Sequence, residues 1–142
     1  MSCVSLVRGL HRLDSRGIAV KRVVMVLFWL VLIIAPIAAC ALAVSFFPPG
    51  IEEVPVHWNV KGEIDGYGSP WSMLPVGFIM AGTNLLLALC YCFSDKMFAL
   101  GLVNGVSTPK GARIVCLVCG VICALVFVGI VIGWAVAALG SL

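Results

Sequence analysis

The stretch VVMVLFWLVLIIAPIAACALAVSFF, residues 23–47, decides the fold because it contains no charged side chain. About 20 such residues, rising ~1.5 Å each as a helix, cross the roughly 30 Å hydrocarbon core of a bilayer. Residues 72–93 and 114–142 form two further uncharged, apolar runs. Of the 142 residues, 63% are hydrophobic and 11% are charged, against about 25% charged in a soluble domain. We therefore predict an all-α membrane protein with three transmembrane helices and a short extended, turn-containing outer loop between the first two.

Basic residues are distributed unevenly along the chain. The 1–22 segment and the 94–113 loop are rich in Lys and Arg, whereas the 48–71 loop carries mainly Asp and Glu. Because short loops rich in Lys and Arg stay in the cytoplasm, we predict a multi-pass protein of the cytoplasmic membrane. Its N-terminus, a basic tail over residues 1–22, then lies inside, and both the 48–71 loop and the C-terminus lie outside. The net charge of +3 is too small and sparse to indicate a nucleic-acid partner, so the expected partner is the lipid bilayer.

A basic tail before an apolar run is also typical of a secretory signal. Ile37-Ala38-Ala39-Cys40 even resembles the lipobox of bacterial lipoproteins. However, the apolar stretch before Cys40 is longer than the ~7–15 residues of a signal core, and the chain stays apolar through Phe47. We therefore expect a retained spanning helix.

Proline and glycine predict where the first helix bends and ends. Pro36 predicts a kink, because proline lacks the amide donor and its ring clashes with the preceding turn. Pro48-Pro49-Gly50 predicts the end of the helix. Ser15 and Gly17 disfavour a regular helix before Lys21, so the tail is expected to be irregular.

The loop between the first two helices is β-prone where it begins. In an extended chain, alternate side chains point to opposite faces. The alternation separates His57 and Asn59 from an apolar set made of Val56, Trp58 and Val60. Two interpretations of the polar set remain open: a backbone-capping role or a metal site.

The capping interpretation places turns at Lys61-Gly62 and Asp65-Gly66. Asn59 and Asp65 would hydrogen-bond the turn backbone, and the glycines at 62, 66 and 68 would supply positive φ. The metal interpretation pairs His57 with nearby carboxylates, a combination that binds zinc. One histidine without a second His or Cys in the loop is a poor zinc set, so we predict no metal and no cofactor.

The stretch VPVHWNVKGEIDGYGSPW, residues 54–71, resembles a signature that reads P-x-H-[WF]-N-x-x-G-x-x-D-G-[YW]-[GS]-S. That signature marks the N-terminal module of SdpI-type bacterial membrane proteins, a domain of unknown function. The resemblance covers residues 23–95, two helices and the outer loop, and leaves a cytoplasmic loop and third helix over 96–142. The matching positions are Pro55, His57, Trp58, Asn59, Gly62, Asp65, Gly66, Tyr67, Gly68 and Ser69.

The resemblance implies a function. Known members continue into several further helices, give immunity to a secreted peptide toxin and relay its presence to a repressor. For this chain it implies a partner-binding outer loop formed by Pro55, His57, Trp58, Asn59, Gly62, Asp65, Gly66 and Tyr67.

Within the spans, three features admit a packing or a functional interpretation. Cys116, Cys119 and Cys123 lie on one helix face. Because no His or charged residue accompanies them, packing is favoured over a metal or haem site. Gly129 and Gly133 form a GxxxG pair for close helix packing, either internal or between two copies. Asn84 is expected to hydrogen-bond a neighbouring helix, an interaction of about 0.6 kcal/mol on average.

No catalytic constellation is present: there is no GxSxG and no phosphate-binding glycine loop. We predict a non-enzymatic bacterial integral membrane protein that acts in peptide-toxin immunity or sensing through the outer loop, with a peptide or membrane-protein partner. The alternative is a structural or assembly subunit that packs through its third helix and forms a homo-oligomer. A metal-dependent membrane enzyme using His57 and Asp65 is the least favoured hypothesis.

Overall fold

The computed structural model describes the backbone of residues 3–102 and 105–141, and side chains from residue 17 onward within those ranges. Residues 1–31 form one compact unit and residues 32–142 a second. In chain order the elements are α1 (Cys3–Ser45), β1 (Val54–Trp58), β2 (Ile64–Gly68), a 3-10 turn (Pro70–Met73), α2 (Leu74–Cys92), α3 (Ser94–Ala99) and α4 (Pro109–Leu139).

Three segments of the described chain are long and apolar enough to cross a membrane: Gly17–Ser45, Pro70–Cys92 and Pro109–Leu139. Only 22% of the most apolar window of each is buried inside the protein. Large apolar side chains such as Ile79 and Leu125 are about two-thirds exposed, at 70% and 67%. Such surfaces are stable against acyl chains and not against water. The predicted fold class, a three-span membrane protein with a short extended segment after the first span, is confirmed.

The first helix begins earlier than the sequence predicts. Helix α1 starts at Cys3 and includes both Ser15 and Gly17, so the expectation of an irregular tail before Lys21 is wrong. Glycine costs about 1 kcal/mol within a helix and serine less. Those penalties are small beside the cost of helix nucleation, which the long apolar segment has already met. The side chains of Arg8, Arg12 and Arg16 lie outside the described residues.

Pro36 and Asn84 join α1 to α2 by one polar contact. Proline has no amide hydrogen, so the carbonyl of Leu32, four residues earlier, loses its helical donor. The side-chain amide Nδ2 of Asn84 donates to that carbonyl at 2.8 Å. Pro36 and Asn84 are both almost fully buried. Thus Asn84 makes the interhelical hydrogen bond expected of it, and its partner is the acceptor that the proline leaves open.

Close approach of α1 and α2 depends on Gly77. A Cβ atom at this position would lie 2.9 Å from the Cys40 Sγ and 3.2 Å from the carbonyl oxygen of Pro36. Only glycine therefore fits against the proline bend. Cys40 is fully buried there, and its thiol donates to the carbonyl of Met73 at 3.4 Å.

The largest buried cluster lies where α1 and α4 end. It combines small residues, which let backbones approach, with three aromatic side chains. Its members are Cys40, Ala43, Phe47, Val54, Phe127, Val131, Trp134, Ala135 and Ala138. Because Val54 belongs to β1, the cluster connects the segment after the first span to the C-terminal half of α4.

Candidate functional site

Strands β1 and β2 form an antiparallel hairpin with two irregularities in its register. Pro55 pairs with Tyr67, His57 pairs with Gly66, and Trp58 pairs with Ile64. Val56 on β1 and Asp65 on β2 are therefore each an extra residue, opposite no partner. A bulge of this kind re-aims side chains and increases local twist. We call residues 54–68 the hairpin.

The hairpin is anchored on α4. The Trp134 indole Nε1 donates to the carbonyl of Pro55 at 2.9 Å, within the buried interior. The Trp134 ring lies 5.4 Å from that of Phe47, between centroids, in a tilted arrangement. Val54, next to Pro55, is fully buried. A buried indole N–H needs an acceptor, and the carbonyl that satisfies it fixes the position of β1.

The bulge at Asp65 brings its carboxylate to His57. The His57 Nδ1 and the Asp65 Oδ1 are 2.5 Å apart, with side chains 70% and 42% exposed. When Nδ1 donates this hydrogen bond, Nε2 is the ring nitrogen left to accept one from a partner. The carboxylate thus sets the orientation of an exposed imidazole.

Gly66 makes that arrangement possible because it has no side chain, and not because its backbone adopts a conformation that other residues avoid. A Cβ atom on Gly66 would lie 2.9 Å from the Cβ of His57, far closer than the ~4.5–5.5 Å usual for facing residues. The prediction that Asp65-Gly66 forms a turn is wrong, because both residues lie in β2. Positive φ at Gly66 and Gly68 is also wrong: of the three glycines, only Gly62 has it, at 81°.

Asn59 organises the turn at the tip of the hairpin. Its side-chain Oδ1 accepts from the backbone amides of Lys61, at 2.8 Å, and Glu63, at 3.0 Å. Its Nδ2 donates to the Glu63 carboxylate at 2.8 Å. The turn closes with the Gly62 amide on the carbonyl of Asn59 at 2.9 Å. The capping interpretation therefore describes Asn59, whereas Asp65 pairs with His57.

Side chains of the hairpin divide into a packed face and an exposed face. Val56 and Trp58 pack against the buried cluster, and His57 is exposed. Val60, expected on the packed side, is instead fully exposed, because β1 ends at Trp58 and the turn begins. Tyr67 is 62% exposed, as is typical of interfacial aromatics.

The exposed face is acidic. The 48–71 loop contributes the carboxylates of Glu52, Glu53, Glu63 and Asp65 against the single ammonium of Lys61. A loop with such an excess of carboxylates attracts cations and cationic segments at low ionic strength.

The described residues contain no group of three or more His, Cys, Asp or Glu side chains placed to hold a metal ion. Within that part of the chain, the His57 side chain hydrogen-bonds to Asp65. The hairpin offers donors, acceptors and charge for recognition, and it offers one free imidazole nitrogen.

The GxxxG pair lies apart from the hairpin. A Cβ atom on Gly129 or Gly133 would meet nothing within 4 Å, so neither glycine packs a helix inside the described chain. The structure instead buries Gly120 and Ala124 of the same helix. The Trp134 contact was missed by sequence reasoning; the signal for it is a lone indole in an otherwise aliphatic helix end, which needs a polar partner.

Residues 31–81 match the model of a family described as a domain of unknown function, DUF1648. The match covers the second part of α1, the whole hairpin and the first part of α2. No curated protein and no solved structure matches the chain significantly.

Proposed function

We propose that this chain is a non-enzymatic bacterial membrane protein that binds a peptide or protein partner through the hairpin, as a component of toxin immunity or sensing. The observation that carries the proposal is the preformed polar face. His57 is paired with Asp65, and Asn59 with Glu63, on a hairpin whose first strand Trp134 holds in place. Groups already fixed in position lose little conformational entropy when a partner binds.

Two further arguments support the proposal. The hairpin lies inside the segment that matches the domain of unknown function, and its sequence resembles the outer-loop signature of SdpI-type proteins. In the proposed topology the hairpin faces the outside of the cytoplasmic membrane, where it would be the first part of the chain that a secreted peptide meets.

A protection assay tests the proposal. The chain is expressed in a sensitive bacterium, the cells are challenged with membrane-active peptide toxins, and membrane levels of each variant are measured. We expect protection by the unmodified chain and loss of it in His57→Ala and Asn59→Ala. Thr83→Ala is the matched control, because Thr83 is exposed and bonds only its own helix, at the carbonyl of Ile79.

Absence of protection against every toxin, with the unmodified chain present in the membrane, would exclude autonomous immunity. Protection that survives in both hairpin variants would exclude the hairpin as the binding face.

The outward position of Gly129 and Gly133 favours a second candidate, a structural subunit that packs through α4. Two open glycines on a lipid-facing helix let another helix approach closely, and here no helix of the described chain occupies that position. Crosslinking in membranes tests it, with Gly129→Leu beside the unmodified chain. A lower dimer yield in the variant supports the interface, and an equal yield removes the pair from it.

A further inference from the structure

A half-open cavity of about 310 Å³ lies between α2, α3 and α4. It is formed by the C-terminal part of α2 and the first turns of α4, and the hairpin adjoins the opposite ends of both helices. The volume lies at the lower end of the roughly 300–1,000 Å³ usual for small-molecule sites. The side chains that line it include Leu87, Cys90, Met97, Val106, Val115 and Cys116.

The lining selects an apolar occupant. Aliphatic and sulfur-containing side chains dominate it, and they offer few partners to the roughly ten waters that such a volume would hold at about 30 Å³ each. Apolar cavities of this kind stay dry or take apolar guests. Val115 is half exposed, so the cavity wall continues into the surface that faces lipid, and an acyl chain has a direct path into it.

Basic side chains lie close in sequence to the residues that line the cavity. Ser94, a buried lining residue, accepts a hydrogen bond from the Arg113 Nε at 2.7 Å. A second nitrogen of Arg113 pairs with the carboxylate of Asp95, which cancels its charge. Lys96 on α3 and Lys110 in the first turn of α4 are exposed and form no salt bridge within the described residues. Two positive charges therefore remain at this end of the helices.

We propose that the cavity binds one acyl chain of an anionic phospholipid from the surrounding bilayer, and that Lys96 and Lys110 pair with its phosphate headgroup. The apolar wall accounts for the chain. The two lysines account for the preference for a negative headgroup, because neither has a carboxylate partner among the described residues and the contact of Lys96 with the Phe93 ring, at 5.8 Å, leaves its positive charge in place. A zwitterionic lipid fills the same volume without that preference. The proposal does not depend on the function of the hairpin.

The reactivity of the native cysteines measures whether a lipid chain occupies the cavity. Cys90 and Cys116 line the cavity, whereas Cys92 and Cys119 are exposed on the same two helices. The full chain is placed in nanodiscs of phosphatidylcholine, with or without phosphatidylglycerol, and alkylation by N-ethylmaleimide is followed at each cysteine by mass spectrometry. We expect phosphatidylglycerol to slow alkylation at the two lining cysteines and to leave the two exposed cysteines unchanged.

In the double variant Lys96→Ala/Lys110→Ala, phosphatidylglycerol should no longer slow alkylation. Each lysine removed should lower the preference for phosphatidylglycerol over phosphatidylcholine by roughly fivefold, which corresponds to the attraction of one basic residue to an anionic surface. Cys116→Leu, which fills the cavity, should lose lipid retained in native mass spectrometry, and Cys119→Leu should keep it. Equal alkylation in both discs, equal slowing at all four cysteines, or slowing that persists without the lysines would overturn the proposal.

Discussion

Replacing Asn84 with leucine removes the donor that satisfies the carbonyl of Leu32. That carbonyl is open only because residue 36 is proline. Introducing Pro36→Ala restores the helical amide and gives Leu32 its ordinary partner. The two substitutions must therefore be coupled: the loss of Asn84 should matter in the native helix and matter much less when alanine occupies position 36.

The magnitude follows from the contacts. A buried acceptor left without its donor costs about 1–3 kcal/mol, although hydrogen bonds between membrane helices average about 0.6 kcal/mol and reach about 1.7. The Asn84 Oδ1 is itself buried without a partner among the described residues, so leucine also removes an unfavourable group. We expect Asn84→Leu to lower the free energy of unfolding by about 1 kcal/mol with Pro36 present, and by near zero in the Pro36→Ala chain.

Reversible unfolding in mixed detergent–lipid micelles measures all four chains of the cycle. Thr83→Val is the control, since it removes an exposed hydroxyl on the neighbouring position and should change stability by less than about 0.5 kcal/mol. An Asn84→Leu cost of the same size in both backgrounds would refute the claim that Asn84 compensates for the proline.

Two further predictions concern the hairpin. Trp134→Phe keeps an aromatic ring but removes the hydrogen bond to the buried carbonyl of Pro55; we expect a loss of about 1–3 kcal/mol and faster amide exchange across residues 54–58, and unchanged exchange would contradict the anchor. Gly66→Ala forces a methyl group against His57 and should destabilise the chain by about 1–3 kcal/mol while shifting the imidazole resonances. Gly82→Ala, inside α2 where a methyl group meets open space, should not destabilise the chain, since alanine favours a helix by up to about 1 kcal/mol, and should leave the imidazole resonances unchanged; equal destabilisation in the two variants would remove the steric argument.

The composition of each apolar run made the three spans predictable. The uncharged run over residues 23–47 could be identified as a span without knowing what it packs against, because burial in lipid depends on each segment's own side chains. Asn84 could be identified in the same way, because a polar side chain inside an apolar span needs a hydrogen-bond partner. Leu32 could not be identified as that partner, because the geometric link to Pro36 becomes visible only when two helices lie side by side.

Details of the hairpin were harder to predict for a physical reason. Asp65-Gly66 has the composition of a turn, but a bulge places both residues in a strand, where Asp65 reaches His57. Bulges depend on how the two strands pair and on what they pack against, which the dipeptide does not encode. Glycine is needed at position 66 because it is small, whereas the sequence pattern suggested that it was needed for positive φ.

Local helix propensity alone does not predict the start of α1 at Cys3. Ser15 and Gly17 lower helicity in isolation, yet a helix already nucleated extends through them at small cost. The anchoring role of Trp134 depends on a contact with Pro55, distant in sequence, and no local pattern reveals it.

The most direct test of the central claim is the accessibility of the hairpin tip in living cells. Val60 is fully exposed at that tip, and Ser107 is exposed in the loop before α4, so Val60→Cys and Ser107→Cys form a matched pair. Each is treated with a membrane-impermeant maleimide in intact and in permeabilised cells, and labelling is counted above that of the unmodified chain. A hairpin that meets partners outside the cell predicts labelling of Val60→Cys in intact cells and of Ser107→Cys only after permeabilisation; the reverse pattern would contradict the account.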